Sequence, residues 1–570
     1  MQIQAYQFIK YDEYTTIEQI ERVHDTGAVV CFDFEDGMLN PLAPEESATI
    51  KARARSIFIR LYAAILASGK HIKIGVRVNH QQTPHFELDL LALAGKCFDA
   101  VFLPKTECAD DMNHFLKSFK AYKIGFKYLI PIVESKQGME NLQTILQASP
   151  MVSKVAFGHC DYNLDIGAYP FFHQDSLEYW KWINALKAGK GKADVQIINS
   201  PFLDTGDEAF FCKILSYIAN SGQQFCGQVT LTTRQSVLCK EITISTENFI
   251  KSLHNRHKIA VDKSVAWQLA EEFESSNKQK GLTRNKQKFI SLQEYLASKK
   301  ILSDTRPVFE FCFVGGCFPV QNDIVYENLF HQLLKRNIEQ THDIKFSVNI
   351  IRYESFGTVT DKLKAFSSQK NPDLVVFHVR PEPYLRLVKL LYKYVDHQGV
   401  KHWSFNLPFL NILKSEKYDM LDAGRIYQVN NIQRKSILHH LLISFNYLAG
   451  CLIGNKHFAL KKYLQTVHSI LDYCNENDIY CLVLGPNRRN NNLLEPALCR
   501  ELDQYFANNT AEQTYVRGYD TEIKIQMNQK YGIYATLDYH KFAATKLYKA
   551  IFAQNILATS LCKSKQEGNS

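Results

Sequence analysis

Residues 28–37 read AVVCFDFEDG, an apolar run that ends on three acids, Asp33, Glu35 and Asp36. Near-continuous apolar residues, without the polar alternation of a half-exposed sheet, predict a strand covered on both faces. A helical pattern follows over 48–66, and the cassette then repeats. Apolar, β-rich runs lie at 6–9, 73–78, 100–103, 128–133, 154–157, 195–199 and 227–231, most of them separated by helical spacing such as that of 109–119. Strands alternating with helices in this way predict a parallel sheet with helices on its faces. Eight such runs between residues 6 and 231 is the number that closes a (β/α)8 TIM barrel. An open doubly wound sheet would ordinarily carry a glycine-rich first turn, and none is present.

In a barrel the residues just after each strand surround the active-site mouth. Here they are Asp33, Glu35 and Asp36, then Arg77 and Asn79, then Lys105 and Glu107, and finally Glu134, Asp161 and Asn199. One acid at a strand end is commonly a helix cap or a solvated charge. A succession of acids, an arginine and a lysine at consecutive strand ends is not what core packing selects.

Taken in order, DFEDG at 33–37, RVN at 77–79, LPKTE at 103–107, PIVESKQG at 131–138 and FGHCDYNLDIG at 157–167 resemble the HpcH/HpaI aldolase and citrate lyase β-subunit family, and more closely its citrate-lyase-like branch. The resemblance spans a domain of about 1–302, whose last part, 262–302, is similar to the family's C-terminal helical extension. It implies a carbon–carbon lyase that works next to a carbonyl through an enolate, on a 2-oxo acid, a hydroxy acid or an acyl thioester. A divalent cation stabilises an enolate oxygen as a Lewis acid, and the resemblance places its ligands at Glu134 and Asp161. Two carboxylates, with water and substrate oxygens filling the other positions, suit Mg²⁺ or Mn²⁺. Arg77 is implied to clamp the substrate carboxylate through its planar fork, with Asn79 and Lys105 beside it. Asp33, Glu35 and Asp36 would stand at the rim and orient water or Arg77. The family also implies a homo-oligomer. Two stretches depart from its pattern: Thr232 and Thr233 stand where a His-Pro pair is usual, and QFIKYDEYTT replaces a Pro-Gly turn after the first strand.

A short polar link, SDTRP at 303–307, precedes a second α/β pattern over 308–562. An apolar strand is expected to open at 308, ahead of the glycine pair 315–316, with further strands at 346–351, 373–379 and 480–484 and helices at 383–394, 437–448 and 458–477. Gly315-Gly316-Cys317, LVLGPNRR at 482–489 and TLDYHKFAATKLYKAIF at 536–552 resemble blocks of the SGNH (GDSL-type) hydrolase fold, a three-layer α/β/α sandwich. The resemblance puts Cys317 at the nucleophile position, with His540 as base and Asp538 as its orienter. A thiol is a reasonable nucleophile when paired with an imidazole; a small buried cysteine in a domain without catalysis is the competing explanation. His378 and Arg380, after another strand, could line the same pocket.

Composition narrows the remaining classes. With 46% apolar and 22% charged residues, and only 26 Gly and 16 Pro, the chain is neither disordered nor collagen-like. Its 14 cysteines include no CxxC pair, which removes zinc ribbons and favours a reducing, cytoplasmic setting. The start lacks a basic segment followed by an apolar core, and the most apolar stretch, 441–454, is too short to span a bilayer. The net charge of +9 is concentrated in 246–302, with eleven basic and six acidic residues. That stretch has few interleaved aromatics and no reader motif, so a nucleic-acid partner is not expected. Two alternatives stay open: a thioester hydrolase or condensing enzyme built on the same barrel, and a binding or scaffold protein with one or both domains inactive.

Overall fold

Every residue of strand β2 (Val29–Asp33) is buried, as a strand walled by side chains on both faces must be. It runs parallel to β1 (Gln4–Phe8) and β3 (Ile74–Arg77). The series continues through β4 (Cys97–Leu103), β5 (Gly125–Val133), β6 (Lys154–Phe157), β7 (Gln196–Asn199) and β8 (Phe225–Thr230). Strand β8 pairs back onto β1, so the eight-stranded parallel barrel expected from the sequence closes. The computed structural model of the protein describes residues 3–191, 193–245, 249–253, 263–277, 282–285, 288–316, 318–321, 324–353, 358–395, 401–407, 437–489, 494–519 and 535–558. They fall into two units, Met1–Thr305 and Arg306–Ser570.

Inside the barrel of the first unit, Tyr6, Phe102, Ile132 and Ile198 share one apolar cluster. At the start of β6 the Lys154 ammonium donates to the Tyr6 hydroxyl (2.9 Å) and lies 3.7 Å from the centre of the Tyr128 ring. The interior is therefore filled, and the open end is the one at the strand C-termini. The pairing register matters there, because Asp33 lies directly opposite Arg77 on the neighbouring strand.

Beyond β8 the chain forms the helix Lys263–Ser276, a hairpin of β9 (Leu282–Asn285) and β10 (Lys288–Ser291), and the helix Leu292–Ser303, here named the mouth helix. Two helices were expected in this region; the hairpin between them was not, since four-residue strands rich in polar residues leave no apolar signature. The mouth helix starts on a reciprocal cap: Ser291 Oγ accepts the Glu294 N–H (3.2 Å) and Glu294 Oε2 accepts the Ser291 N–H (3.2 Å). Tyr295 stacks on Phe273 at 4.4 Å, joining the two helices.

The second unit is built on β11 (Val308–Gly315), β12 (Lys345–Arg352), β13 (Leu374–His378), the hairpin pair β14 (Leu391–Val395) and β15 (Lys401–Phe405), β16 (Tyr480–Leu484) and β17 (Tyr515–Val516). The parallel sheet has the order β12-β11-β13-β16-β17, that of doubly wound folds, in which the direction of winding reverses next to the first strand. One expectation is corrected. The helix foreseen over 383–394 is a shorter one, Pro381–Val388, after which the alternating LYKYV of β14 pairs with β15. Among the described residues no helix is long and apolar enough to cross a membrane.

Candidate active site at the barrel mouth

The site is assembled from strand ends. Arg77 faces Asp33 across the β2–β3 register and grips it with two N–H groups, Nε to Oδ1 (2.8 Å) and Nη2 to Oδ2 (2.6 Å). The same carboxylate accepts the backbone N–H groups of Glu35 (3.0 Å) and Gly37 (2.8 Å). Burial alone would raise the Asp33 carboxyl, but Arg77 and these amides outweigh it and hold it below the usual aspartate value. Arg77 Nη1 also lies 3.1 Å from Glu35 Oε2, and its guanidinium carbon stands 5.5 Å from the Phe8 ring centre.

A cavity of about 600 Å³ opens beside this pair, with Asp36, Arg77, Glu134, His159, Asp161 and Gln293 in its wall. Glu134, the residue after β5, accepts the Lys105 backbone N–H at 2.7 Å. Lys105 meets this bond in a left-handed conformation, φ 47°, which costs a residue with a side chain roughly 1–2 kcal/mol. Gly158 makes room for Glu134: a Cβ there would run into its carboxylate. Asp161 lies four residues beyond β6, with Oδ1 3.8 Å from the Lys105 ammonium.

The acids crowd one another. Burial, then the charges of Asp161 and Glu35, pushes the Glu134 carboxyl well up. Burial and Asp36 lift Asp161 to about 6, against the pull of Lys105 and Arg77. Burial and Asp36 lift Glu35 to about 8. For Lys105, burial opposes the charged form, yet Asp161, Glu35, Asp36 and Glu134 together hold its ammonium above the usual range. Five carboxylates thus share one mouth with Arg77, Lys105 and, beneath the acidic turn, Lys51, an imbalance that a small, hard divalent cation fits. Among the described residues no group of three or more His, Cys, Asp or Glu side chains is spaced to hold an ion. Glu134 and Asp161 form an oxygen-only pair, and the room that Gly158 leaves is at the carboxylate of one of them.

Asn79 does not reach the cavity, contrary to the substrate contact expected of it. It is 2% exposed, and its side chain donates to Phe34 O (2.7 Å) and Asp89 Oδ2 (2.8 Å) while accepting from Lys51 (2.5 Å). The Lys51 ammonium also donates to the carbonyls of Phe34 (2.9 Å) and Glu35 (2.8 Å). Lys51 and Asn79 therefore underpin the acidic turn from below. Asn199 is likewise buried, bonded to Tyr179 and Gln228.

The sequence reading missed two contributions. Gln293 of the mouth helix donates to Asp36 Oδ2 (2.9 Å) and Asp161 Oδ2 (2.8 Å). A chain of side chains also runs from Glu294 Oε1 to His173 Nε2 (3.0 Å) and from His173 Nδ1 to His159 Nε2 (3.1 Å). Burial first, and His173 second, keeps the His159 imidazole neutral, well below its ordinary value. The Ser-x-x-Glu cap marks where the mouth helix starts, but no local signal says that this helix lands on the barrel mouth.

In the second unit, Cys317 lies outside the described residues. Its expected partners are not assembled. Asp538 is exposed in the first turn of the helix Leu537–Ala553, whereas His540 is fully buried. His540 Nδ1 accepts the Phe330 N–H (3.1 Å) and its ring stacks on Phe318 at 4.5 Å. Burial, with a smaller contribution from His331, holds it down to about 3. It is a neutral core imidazole, which corrects the acid–base pair expected there. His378 ends β13 with neither ring nitrogen hydrogen-bonded among the described residues, and Arg380 donates to the Tyr353 carbonyl.

Residues 14–222 match the model of the HpcH/HpaI aldolase/citrate lyase family. Citrate lyase subunit beta of Leuconostoc mesenteroides subsp. cremoris is 25% identical over 233 residues, which is 40% of this chain and 72% of that protein. L-malyl-CoA/beta-methylmalyl-CoA lyase of Cereibacter sphaeroides is 25% identical over 240 residues, 38% of this chain and 71% of the relative. Among solved structures, the CitE protein of Mycobacterium tuberculosis in complex with magnesium and acetoacetate is 18% identical, covering 44% of this chain and 95% of its own, at a TM-score of 0.35.

Proposed function

We propose that the first unit is a divalent-metal-dependent carbon–carbon lyase acting on a 2-oxo acid, a hydroxy acid or an acyl thioester through an enolate. The observation that carries this is the convergence of Glu134, Asp161, Asp36 and Arg77 on one cavity. The family model over 14–222 and the two lyases, matched over 72% and 71% of their own length, support the reaction class.

Glu134 and Asp161 would hold a Mg²⁺ or Mn²⁺ ion, which as a Lewis acid supplies stabilisation of the negative oxygen that builds up as the carbon–carbon bond breaks. Arg77 is held rigidly by Asp33 and lines the cavity, where it would orient a substrate carboxylate. Phe8 and Phe102 in the cavity wall exclude water beside it. Lys51 and Asn79 keep the turn that carries Glu35 and Asp36 in place. The same constellation serves a thioester hydrolase or a condensing enzyme, and turnover of oxo acids against acyl-CoA thioesters separates these from the lyase.

The test is metal binding and turnover in Glu134→Gln and Asp161→Asn. Loss of both in each variant is expected. Unchanged turnover and an unchanged Mn²⁺-dependent rise in melting temperature in either one would overturn the reading. For the second unit we propose an SGNH-like fold, supported by the strand order and by the Gly315-Gly316 pair at the end of β11. Without an assembled Asp538–His540 pair, a hydrolase or acyltransferase role does not follow, and a binding role is favoured there.

A further inference from the structure

We propose that Gln293 is a positioning residue for Asp161, so that the mouth helix of the same chain completes the cation site. This rests on Glu134 and Asp161 being the cation-holding pair.

Gln293 is 7% exposed, and its one amide nitrogen reaches two carboxylates, Asp36 Oδ2 at 2.9 Å and Asp161 Oδ2 at 2.8 Å. The two hydrogens of an amide nitrogen serve two acceptors, so the side chain is fixed between like charges that would otherwise repel. Holding Asp161 Oδ2 sets the rotation of that carboxylate and leaves Oδ1, on the Lys105 side, for a cation. Ligands held by outer hydrogen-bond partners bind metals more tightly, and loss of such a partner typically weakens affinity about 10–100-fold.

Docking of the helix does not require an amide at this position. Tyr295 already stacks on Phe273, Ser298 Oγ meets the Tyr169 hydroxyl at 3.0 Å, and Glu294 binds His173 at 3.0 Å. Through His173, Glu294 also reaches His159, so the helix grips the short segment His159–Asp165 at two points. An apolar residue would pack at position 293; a double donor aimed at two acids is a choice made for the acids.

The experiment titrates the full chain with Mn²⁺, read by the loss of free-ion signal in electron paramagnetic resonance, alongside the melting temperature of the metal-free protein. Gln293→Met keeps length and packing but removes both donors. It should weaken Mn²⁺ binding about 10–100-fold with little change in melting temperature. Ser298→Ala, on the same helix but remote from Asp161, should bind Mn²⁺ as the unaltered protein does. If Gln293→Met binds within twofold of the unaltered protein while Asp161→Asn does not bind, this proposal falls and the cation site stands. If Ser298→Ala weakens binding as much as Gln293→Met, helix docking is the cause and the proposal also falls. If the unaltered protein fails to bind, or Asp161→Asn binds equally well, the cation site falls and takes this inference with it.

Discussion

Replacing Asp33 with Asn should be the most damaging single-atom change at the barrel mouth. The carboxylate accepts four N–H groups, two from Arg77 and two from the backbone of Glu35 and Gly37. An amide keeps one acceptor oxygen and turns two hydrogens toward groups that are themselves donors. Side-chain exposures of 17% for Arg77 and 9% for Asp33 make this a largely buried pair, and breaking such a pair from one side costs about 3–5 kcal/mol. In a unit of this size each kcal/mol moves the melting temperature by about 2–4 °C, so a fall of roughly 6–20 °C is expected. Urea unfolding followed by tryptophan fluorescence reads it, because Trp180 and Trp182 are fully buried in this unit. The Asp33 carboxyl is held below its usual value, so its contribution is complete above about pH 4 and fades as the pH falls below that. The gap between variant and unaltered protein should therefore close in acid. A difference under about 1 kcal/mol at neutral pH, or one that persists undiminished at pH 2, would refute the pairing.

Gly158→Ala forces a methyl group into the Glu134 carboxylate and should cost about 1–3 kcal/mol together with weakened Mn²⁺ binding; an unaffected melting curve would place Glu134 elsewhere. Lys51→Met removes a donor from three buried acceptors. Phe34 O keeps the Asn79 amide and Glu35 O the Met38 N–H, so Asn79 Oδ1 is left unpaired, which should lower stability by about 1–3 kcal/mol, as chemical denaturation measures. His540 is held near 3 in the fold against about 6.5 when unfolded. The second unit should therefore lose stability as the pH falls from about 6.5 toward 3, since only the unfolded chain takes up the proton. Hydrogen exchange of the helix Leu537–Ala553, corrected for the intrinsic effect of pH, should show this slope, and His540→Gln should flatten it.

The barrel was legible because its strands are covered on both faces, so that AVVCFDF and its counterparts appear as unbroken apolar runs; 154–157 coincides with β6 as observed. The acids at the strand ends were legible for the opposite reason, as residues a core would not choose. Position after a strand did not distinguish a residue facing the cavity from one tied beneath it. Asn79 follows β3 by two residues, yet it spends both side-chain polar atoms on Asp89, Phe34 and Lys51. Gln293 stood more than a hundred positions from Asp161, and no pattern in a sequence encodes a landing at that distance. In the second unit, the resemblance of 536–552 to an SGNH block implied a pair of Asp538 and His540. A helix sends such neighbours in different directions, one into the aromatic core and the other to solvent.

The central claim is that Glu134 and Asp161 share one divalent cation beside Arg77. Anomalous scattering from a crystal grown with Mn²⁺ tests it most directly. The account predicts a single strong peak bonded to an oxygen of each carboxylate at the barrel mouth. A peak located elsewhere, or none at this mouth with Mn²⁺ in excess, would contradict it.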